Sequence, residues 1–274
     1  KHKTLWELYD KAYTPWEWHE ELFQEARKLG LEIFSSPFDE TAVDFLEEFN
    51  VPAYKIASPE ITHIPLLEKV AQTGKPIIVS TGMASLDDIE LALMTLRRAG
   101  ATDIVLLKCT TAYPAPPDEA NLLTIPDMVN RFGVIAGLSD HTLGSAISIA
   151  SVALGGSFIE KHFNLDDEEI TVDSFFSSGE QEFQRMVDDI RLVEKAIGHQ
   201  SYDITPSTIP NLRGRRSLYV SAPIKAGDQF TKFNIKSVRP SFGLHPKYYN
   251  EIIGRHAKCD IQKGERLCWG FIDK

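Results

Sequence analysis

The 274-residue sequence predicts an α/β fold built on a parallel sheet, followed by a small β-rich module. Short apolar runs that end in small polar residues alternate with stretches of helical spacing, which is typical of repeated βα units. The charge also changes sign along the chain, since residues 1–212 carry a net charge of −18 and residues 213–274 a net charge of +8. Glycines then punctuate the basic segment at short intervals. We therefore expect a barrel-type domain over 1–197, a linker over 198–212 and a β-rich domain over 213–274.

Six strand-like runs are visible before residue 164, separated by roughly 20–30 residues. They span 31–36, 53–58, 76–81, 103–109, 134–139 and 157–163. Helical spacing follows over 41–49, 86–99, 145–154 and 180–197, and precedes the first run over 16–29. Ser85 lies where a helix N-cap belongs, and Gly74 and Gly100 lie where helix C-caps belong. These signals predict a βα repeat.

Six units are fewer than the eight of a closed barrel, so the sheet is either open or preceded by two strands upstream of Lys1. The position of the polar residues separates these alternatives. In every unit they gather at the carboxyl end of the strand, where a barrel places its active site, whereas an open doubly wound sheet concentrates them at one crevice. We expect a (β/α)8 TIM barrel whose N-terminal strands are missing from this sequence, and a small docked β-rich domain.

Composition excludes several classes of protein. No apolar run approaches the ~18–20 residues that cross a bilayer, which predicts no membrane partner. The cysteines are few and odd in number, which fits a reducing cytoplasm. The three cysteines have no CxxC spacing, which argues against a disulfide framework or a thiolate zinc site. The basic segment could bind nucleic acid, but its charges are spread among turns, which favours docking on the acidic domain. No GxGxxG, Walker A, GxSxG or HExxH motif is present.

Two histidines follow neighbouring strands of the repeat. His141 and His162 come at the ends of the last two visible strands, so their imidazoles can converge above a barrel. A single histidine at such a position is usually a satisfied polar residue, whereas two on adjacent strands fit a divalent-metal site as well as they fit two satisfied polar residues. We expect a metal held by His141 and His162 and completed by carboxylate, water or substrate.

Lys55 brings a cation into the predicted barrel mouth, where an anionic partner such as phosphate would compensate its burial. Hydroxyl donors at other strand ends could complete a phosphate cradle, namely Ser36, Ser58, Thr111 and Ser139. Each hydroxyl also fits a turn or N-cap, and the Lys55 stem could pack on the barrel with its head in solvent. A second functional alternative is a Schiff-base lysine at Lys55 or Lys108.

The loops after the strands supply further candidates. Tyr113 and Asp173 could bond sugar hydroxyls, and Glu60 could act as a general base. Arg239, from the basic segment, could reach an anionic ligand at a neighbouring barrel mouth. Each of these residues could also be a solvent-exposed loop side chain without a role in binding or catalysis. Cys109 is expected to pack as a small apolar residue.

Taken together, five strings resemble the sialic acid synthase family: YKIAS at 54–58, STGM at 80–83, LKCTTAYP at 107–114, GLSDHT at 137–142 and EKHF at 160–163. The tail, with RSL at 216–218, RP at 239–240 and GLHPKY at 243–248, resembles the C-terminal antifreeze-like (SAF) domain of that family. Within the family, YTPWEW at 13–18 and GLHPKY are most similar to the pseudaminic acid synthases. The resemblance covers essentially the whole chain.

The resemblance implies condensation of phosphoenolpyruvate with an N-acylated amino sugar, giving a nonulosonic acid and phosphate. The implied metal is Mn2+, with Mg2+ or Co2+ as alternatives, and the implied assembly is a domain-swapped homodimer. The family's first two strands, with a catalytic Glu and a further phosphate-binding Lys, have no match in this sequence.

The resemblance also implies roles for individual residues. His141 and His162 would hold the metal, and Lys55, Glu60 and Asp173 would take part in catalysis. Phosphoenolpyruvate would contact Ser36, Lys55, Ser58, Thr111 and Ser139, with Thr111 at a position where sialic acid synthases carry Asn. Tyr113, Asp173 and Arg239 would contact the sugar.

The acceptor implied by the resemblance is 2,4-diacetamido-2,4,6-trideoxy-altrose, which would give pseudaminic acid. N-acetylneuraminate, legionaminate and spore-coat polysaccharide synthases of the same family are the nearest alternatives. A Schiff-base aldolase and a non-catalytic carbohydrate- or nucleic-acid-binding protein are alternatives of other classes.

Overall fold

The computed structural model describes residues 4–165 and 171–273. The chain forms two compact units, Lys1–Gly198 and His199–Lys274. Within the described residues, no helix has the length and apolar character needed to span a bilayer.

A five-stranded parallel sheet forms the centre of the first unit. Its strands are β1 (Tyr54–Ile56), β2 (Ile77–Ser80), β3 (Ile104–Cys109), β4 (Ile135–Asp140) and β5 (Ile159–Lys161). Each strand pairs with the next one along the chain, so the spatial order equals the sequence order. A doubly wound sheet reverses its order at a switch point, whereas a barrel does not. The predicted barrel topology is therefore confirmed over these five strands.

Helices connect and flank the strands. They are α1 (Leu5–Ala12), α2 (His19–Lys28), α3 (Glu40–Glu47), α4 (Ile64–Gln72), α5 (Leu86–Arg98), α6 (Thr124–Phe132), α7 (Ala146–Ala153) and α8 (Glu180–Ile197). Short 3-10 helices lie at Trp16–Trp18, Ser58–Thr62 and Pro117–Glu119. Gly74 and Gly100 have φ of 73° and 110°, the conformation that the sequence predicted for two helix ends.

The prediction of a strand over 31–36 is wrong, because the structure assigns no strand to this segment. The segment makes a single long backbone contact with β1, in which Lys55 N donates to Ser35 O at 3.4 Å. One bond is not a ladder, and no described strand flanks the other side of the segment. The run nevertheless delivers Ser36 to the carboxyl end of the sheet, as the sequence analysis expected.

The two faces of the sheet differ in character. Residues such as Tyr54, Ile56 and Leu106 point to the helices and belong to the main hydrophobic core. The alternate residues form a much smaller apolar cluster of Ile78, Val105 and Leu107 on the opposite face. Strand alternation then puts the polar residues at the carboxyl ends of the strands on that second face. The fold thus leaves this face free for a polar site.

The N-terminus of α5 carries the cap that the sequence predicts. Asp88 N donates to Ser85 Oγ at 3.2 Å, and Ser85 N donates to Asp88 Oδ2 at 2.9 Å. Ser85 Oγ also donates to Asp88 Oδ2 at 2.6 Å, and this bond together with the one from Ser85 N lowers the pKa of the Asp88 carboxyl.

Ser85→Ala removes this capping box, and we expect it to lower the free energy of unfolding by about 1 kcal/mol. Urea denaturation followed by circular dichroism measures the change. Ser145→Ala is the matched control, because Ser145 is the N-cap of α7 and its side chain makes no capping bond. Equal losses from both substitutions would contradict the prediction.

The second unit is β-rich, as predicted. β6 (Ser217–Val220) and β7 (Ile235–Val238) pair antiparallel, and the short helix α9 (Tyr249–Ile252) follows them. Short 3-10 helices lie at Ile209–Gly214, Pro246–Tyr248 and Trp269–Phe271. Its own buried core includes Leu218, Phe230, Ile235, Ile252 and Ile261.

Candidate active site

A cavity of about 220 Å³ opens at the carboxyl ends of the parallel strands. Seven residues that the sequence singled out line it: Ser36, Lys55, Ser58, Tyr113, Ser139, His141 and His162. They come from the 31–36 segment, from β1 and β4, and from the loops after β1, β3, β4 and β5. The structure therefore brings together residues that are more than 120 positions apart in the sequence.

The two imidazoles lie side by side in this cavity, with ring centroids 5.2 Å apart. His141 Nδ1 lies 2.9 Å from Thr110 O, which can only accept, so Nδ1 carries the proton and Nε2 is left as an acceptor. His162 Nδ1 lies 3.5 Å from Asp173 Oδ2. Metal-binding histidines commonly hold their second nitrogen on a carbonyl or a carboxylate in this way.

The two imidazoles can therefore supply two of the ligands of one divalent ion. Within the described ranges there is no group of three or more His, Cys, Asp or Glu side chains arranged to hold an ion. Water or substrate oxygens would have to supply the remaining positions, which is the composition of an open, catalytic metal site.

Burial and neighbouring charge affect the two imidazoles differently. Burial and the nearby His141 lower the pKa of His162, so the neutral form that binds metals is favoured there. Burial also opposes protonation of His141, but its contacts with Cys109 and with the Thr110 carbonyl outweigh burial and raise the pKa.

Cys109 lines the cavity and is more than the small apolar residue that the sequence suggested. Its Sγ lies 3.9 Å from His141 Nδ1 and 3.9 Å from Thr111 Oγ1. Burial raises the pKa of the thiol, but contacts with His141, Ser58 and Thr111 bring the pKa down to about 7.

Lys55 is buried at the floor of the cavity and faces Glu160. Its Nζ lies 3.5 Å from Glu160 Oε1 and donates to Ile56 O at 3.2 Å. Ser139 donates to the same Glu160 oxygen at 2.6 Å. One carboxylate thus engages two residues that the sequence assigned to a phosphate. Glu160 is not among the site residues predicted from the sequence, although it pairs with Ser139 in the β4–β5 register.

Two serines complete this side of the cavity. Ser58 Oγ accepts from Gly82 N at 3.0 Å. Ser80 lines the cavity with its Oγ buried, and that oxygen has no hydrogen-bond partner among the described residues. A buried hydroxyl without a partner is costly unless a ligand satisfies it. Ser80 is therefore a candidate ligand contact that the sequence analysis did not select.

Tyr113 closes one side of the cavity with its ring. The ring centroid lies 4.4 Å from that of His141 and 5.8 Å from that of His162. Phe176 packs against the same group, 5.1 Å from Tyr113 and 4.8 Å from His162. The histidine pair therefore lies against two aromatic side chains that also contact each other.

Four predicted site residues are not part of the cavity lining: Glu60, Thr111, Asp173 and Arg239. Glu60 Oε2 is buried without a hydrogen-bond partner in the described structure, and burial raises the pKa of this carboxyl while the Lys55 charge opposes the rise. Thr111 and Asp173 contact lining residues, as given above. Arg239 is an exposed residue of the second unit, directly after β7.

Lys108 lies on the other face of the sheet from Lys55. It pairs with Leu138 in the β3–β4 register, on the face that packs against the helices. Its Nζ donates to Cys109 O at 2.8 Å, and burial lowers its pKa. Of the two lysines proposed for a Schiff base, only Lys55 therefore lines the cavity.

Gly82 is required by the close packing behind the cavity. A Cβ at this position would overlap Thr111 Oγ1, lie 2.8 Å from Cys109 Sγ and lie 3.0 Å from Ser58 Oγ. All three are short side chains, and Ser58 also accepts the Gly82 N–H, so they have little room to move.

We expect Gly82→Ala to lower the free energy of unfolding by about 1–3 kcal/mol through overpacking. Urea denaturation measures the loss. Gly214→Ala is the control, because a Cβ there meets no atom within 4 Å. Unchanged stability of Gly82→Ala would show that the site has more space than the structure indicates.

The fold and the site define an enzyme built on a TIM barrel, with a cavity that is lined by a buried lysine and a histidine pair. A model of the NeuB family matches residues 1–202, and one of the SAF domain matches residues 215–272. The chain belongs to the NeuB family, and the resemblance drawn from its motifs is confirmed.

Relatives with assigned activities point the same way. The pseudaminic acid synthase of Helicobacter pylori is 48% identical over 273 residues, which are 99% of this chain and 80% of the relative. A pseudaminic acid synthase of Campylobacter jejuni is 42% identical, over 98% of this chain and 78% of the relative. The chain is thus an enzyme with a nonulosonic acid synthase role.

Solved structures support the fold. The spore coat polysaccharide biosynthesis protein SpsE of Bacillus subtilis aligns with a TM-score of 0.65 and 32% identity, over 99% of this chain and 81% of that one. An N-acetylneuraminic acid synthetase of Leptospira borgpetersenii, in complex with citrate, aligns with a TM-score of 0.68 and 30% identity, over 73% of this chain and 70% of that one.

Proposed function

We propose that this enzyme condenses phosphoenolpyruvate with 2,4-diacetamido-2,4,6-trideoxy-altrose to give pseudaminic acid and phosphate, with Mn2+ as the metal. The observation that carries the proposal is one cavity lined by both Lys55 and the His141–His162 pair. A cation suited to a phosphorylated enol and nitrogens suited to a metal are what this reaction needs in one place.

The anion side of the cavity would hold phosphoenolpyruvate. Lys55 supplies the charge, and Ser36, Ser58, Ser80 and Ser139 supply hydroxyl donors around it. Thr111 lies outside the cavity lining with its Oγ1 next to Gly82, and it would support this cradle from there. The phosphorylated substrate would displace Glu160 from Lys55 and Ser139, because the carboxylate and the phosphate compete for the same donors.

The histidine side would hold the metal through the nitrogens that face the cavity. When bound, Mn2+ would supply Lewis-acid polarisation of the sugar aldehyde, with Mg2+ or Co2+ as possible substitutes. Asp173 and the Thr110 carbonyl would keep the two rings oriented. Tyr113 and Phe176 would limit the access of water to the pair.

The sugar would enter next to Tyr113 and Asp173. The enol carbon bonds to the aldehyde carbon while the aldehyde C=O π bond breaks, and the aldehyde oxygen takes up a proton to become a hydroxyl. Water adds to the resulting cationic carbon and gives up a proton, and the carbon–oxygen bond to phosphate then breaks to leave a 2-keto group and free phosphate. Glu60, whose pKa burial raises, would exchange a proton with that water only if its carboxyl turned toward the cavity, since it lies outside the lining. Lys55 would stay on the phosphate throughout, since its Nζ is already held at the cavity floor.

Incubation with Mn2+, phosphoenolpyruvate and a panel of acylated sugars tests the proposal through phosphate release. We expect release with the altrose derivative and slower release with the acceptors for N-acetylneuraminate and legionaminate. Release should stop on addition of EDTA and return with Mn2+. No release with any acceptor would overturn the proposal. EDTA-resistant turnover together with borohydride trapping on Lys55 would overturn it in favour of an aldolase.

The assembly and compartment form part of the same proposal. We propose a cytoplasmic, domain-swapped homodimer in which Arg239 approaches the partner's cavity. The opposite charges of residues 1–212 and 213–274 favour docking of the basic segment on an acidic domain. Sedimentation at low and high salt tests the dimer, and a monomer under both conditions would contradict it.

A further inference from the structure

Directly before each histidine of the pair lies one half of a buried ion pair. Asp140 ends β4 and precedes His141, and Lys161 ends β5 and precedes His162. The two residues lie opposite each other in the parallel register. Strand alternation points them to the helix-covered side of the sheet, away from the cavity.

The ion pair is closed off from water and has several partners. Lys161 Nζ lies 3.1 Å from Asp140 Oδ2, and the side chains are 2% and 1% exposed. Ser148 of α7 donates to the same oxygen at 2.5 Å, and Thr142 N donates to Asp140 Oδ1 at 2.9 Å. Lys161 also donates to Thr142 O at 2.7 Å. The cluster thus joins β4, β5, α7 and the loop after His141.

Stability alone does not explain such a cluster. Taking two charges out of water costs about as much as their attraction returns, and apolar side chains of similar volume are often no worse. In every other ion pair of the described residues at least one side chain is more than a third exposed. A buried ion pair does give a core contacts of fixed direction, because charge-assisted hydrogen bonds have strict geometry and apolar contacts do not.

We propose that Asp140 and Lys161 are positioning residues that fix the spacing and direction of His141 and His162 for metal binding. This inference rests on the proposed function, because it assumes that His141 and His162 bind a metal. The ion pair fixes the ends of β4 and β5 relative to each other. Because each histidine is the next residue in the chain, this restraint also limits the positions of the two imidazoles. Thr142, on the far side of His141, extends the restraint to the following loop.

The test compares metal affinity with fold stability in matched double variants. Asp140→Asn with Lys161→Met removes both charges at nearly constant volume. Glu47→Gln with Lys75→Met neutralises a partly buried pair, 2.7 Å apart, that lies outside the cavity lining. Co2+ binding is measured by calorimetry and by the visible spectrum, and stability by urea denaturation.

We expect the Asp140/Lys161 variant to bind Co2+ about 10- to 100-fold more weakly, with an altered spectrum, and the control to bind like the wild type. Equal Co2+ affinity of the Asp140/Lys161 variant and the wild type would overturn the positioning role. A wild-type enzyme that does not bind Co2+ would instead overturn the metal in the proposed function, and the positioning role with it.

A milder variant covers the case in which the double variant does not fold. Ser148→Ala removes one hydrogen bond from Asp140 and no charge. We expect a smaller loss of Co2+ affinity, again with a changed spectrum. Wild-type affinity and spectrum in Ser148→Ala would then count against the proposal.

Discussion

If the histidine pair holds the metal as proposed, replacing His162 by alanine is expected to lower kcat/KM by roughly a thousandfold, because one of the two protein nitrogens proposed as metal ligands disappears. Metal polarisation of a carbonyl is worth several kcal/mol of transition-state stabilisation, and each ~1.4 kcal/mol corresponds to a factor of ten. His162 is the better choice of the two histidines, since its side chain is 34% exposed and carries less packing than His141. Phosphate release under saturating Mn2+ measures the effect.

The control for this substitution is His199→Ala. His199 is exposed in the second unit, so its removal tests for a general effect of losing an imidazole. We expect wild-type kcat/KM for this control. His162→Ala should also need much more Mn2+ for half-maximal rate. A His162→Ala enzyme with normal activity and normal Mn2+ dependence would show that the pair is not the metal site.

The sequence alone predicted the elements that surround the site. Apolar β-branched runs ending in small polar residues located all five strands, because buried parallel strands need apolar side chains on both faces. The same pattern placed His141 and His162 on neighbouring strand ends, and the structure brings their rings to 5.2 Å. Local patterns were sufficient here because a parallel sheet aligns its carboxyl ends.

The contacts inside the site could not be predicted in the same way. Glu160 meets Ser139 and Lys55 across distances of 21 and 105 residues, and such contacts depend on register and side-chain length. Lys55 and Lys108 looked equivalent in the sequence, but strand parity places them on opposite faces of the sheet. The 31–36 run has the composition of a strand but makes only one backbone hydrogen bond to β1. Strand formation depends on neighbouring segments that can form hydrogen bonds, and composition does not show whether they are present.

The buried Lys55 gives the second large prediction, which concerns the phosphorylated substrate. Lys55→Met keeps the length of the stem and removes the charge, which leaves Glu160 and the hydroxyl cradle without their cation. Losing one partner of a desolvated charge contact costs about 2–5 kcal/mol. We therefore expect the KM for phosphoenolpyruvate to rise about a hundredfold, while the Mn2+ concentration for half-maximal rate stays close to that of the wild type.

Lys108→Met is the matched control, because it removes an identical charge from the next-but-one strand on the face away from the cavity. We expect a nearly unchanged KM for phosphoenolpyruvate, since Lys108 Nζ donates to the Cys109 carbonyl behind the sheet. Steady-state kinetics with phosphoenolpyruvate as the varied substrate separates the two variants. Equal effects of both substitutions would mean that Lys55 acts through the stability of the sheet. A loss of kcat alone in Lys55→Met, with borohydride trapping of the wild type, would indicate covalent chemistry at this lysine.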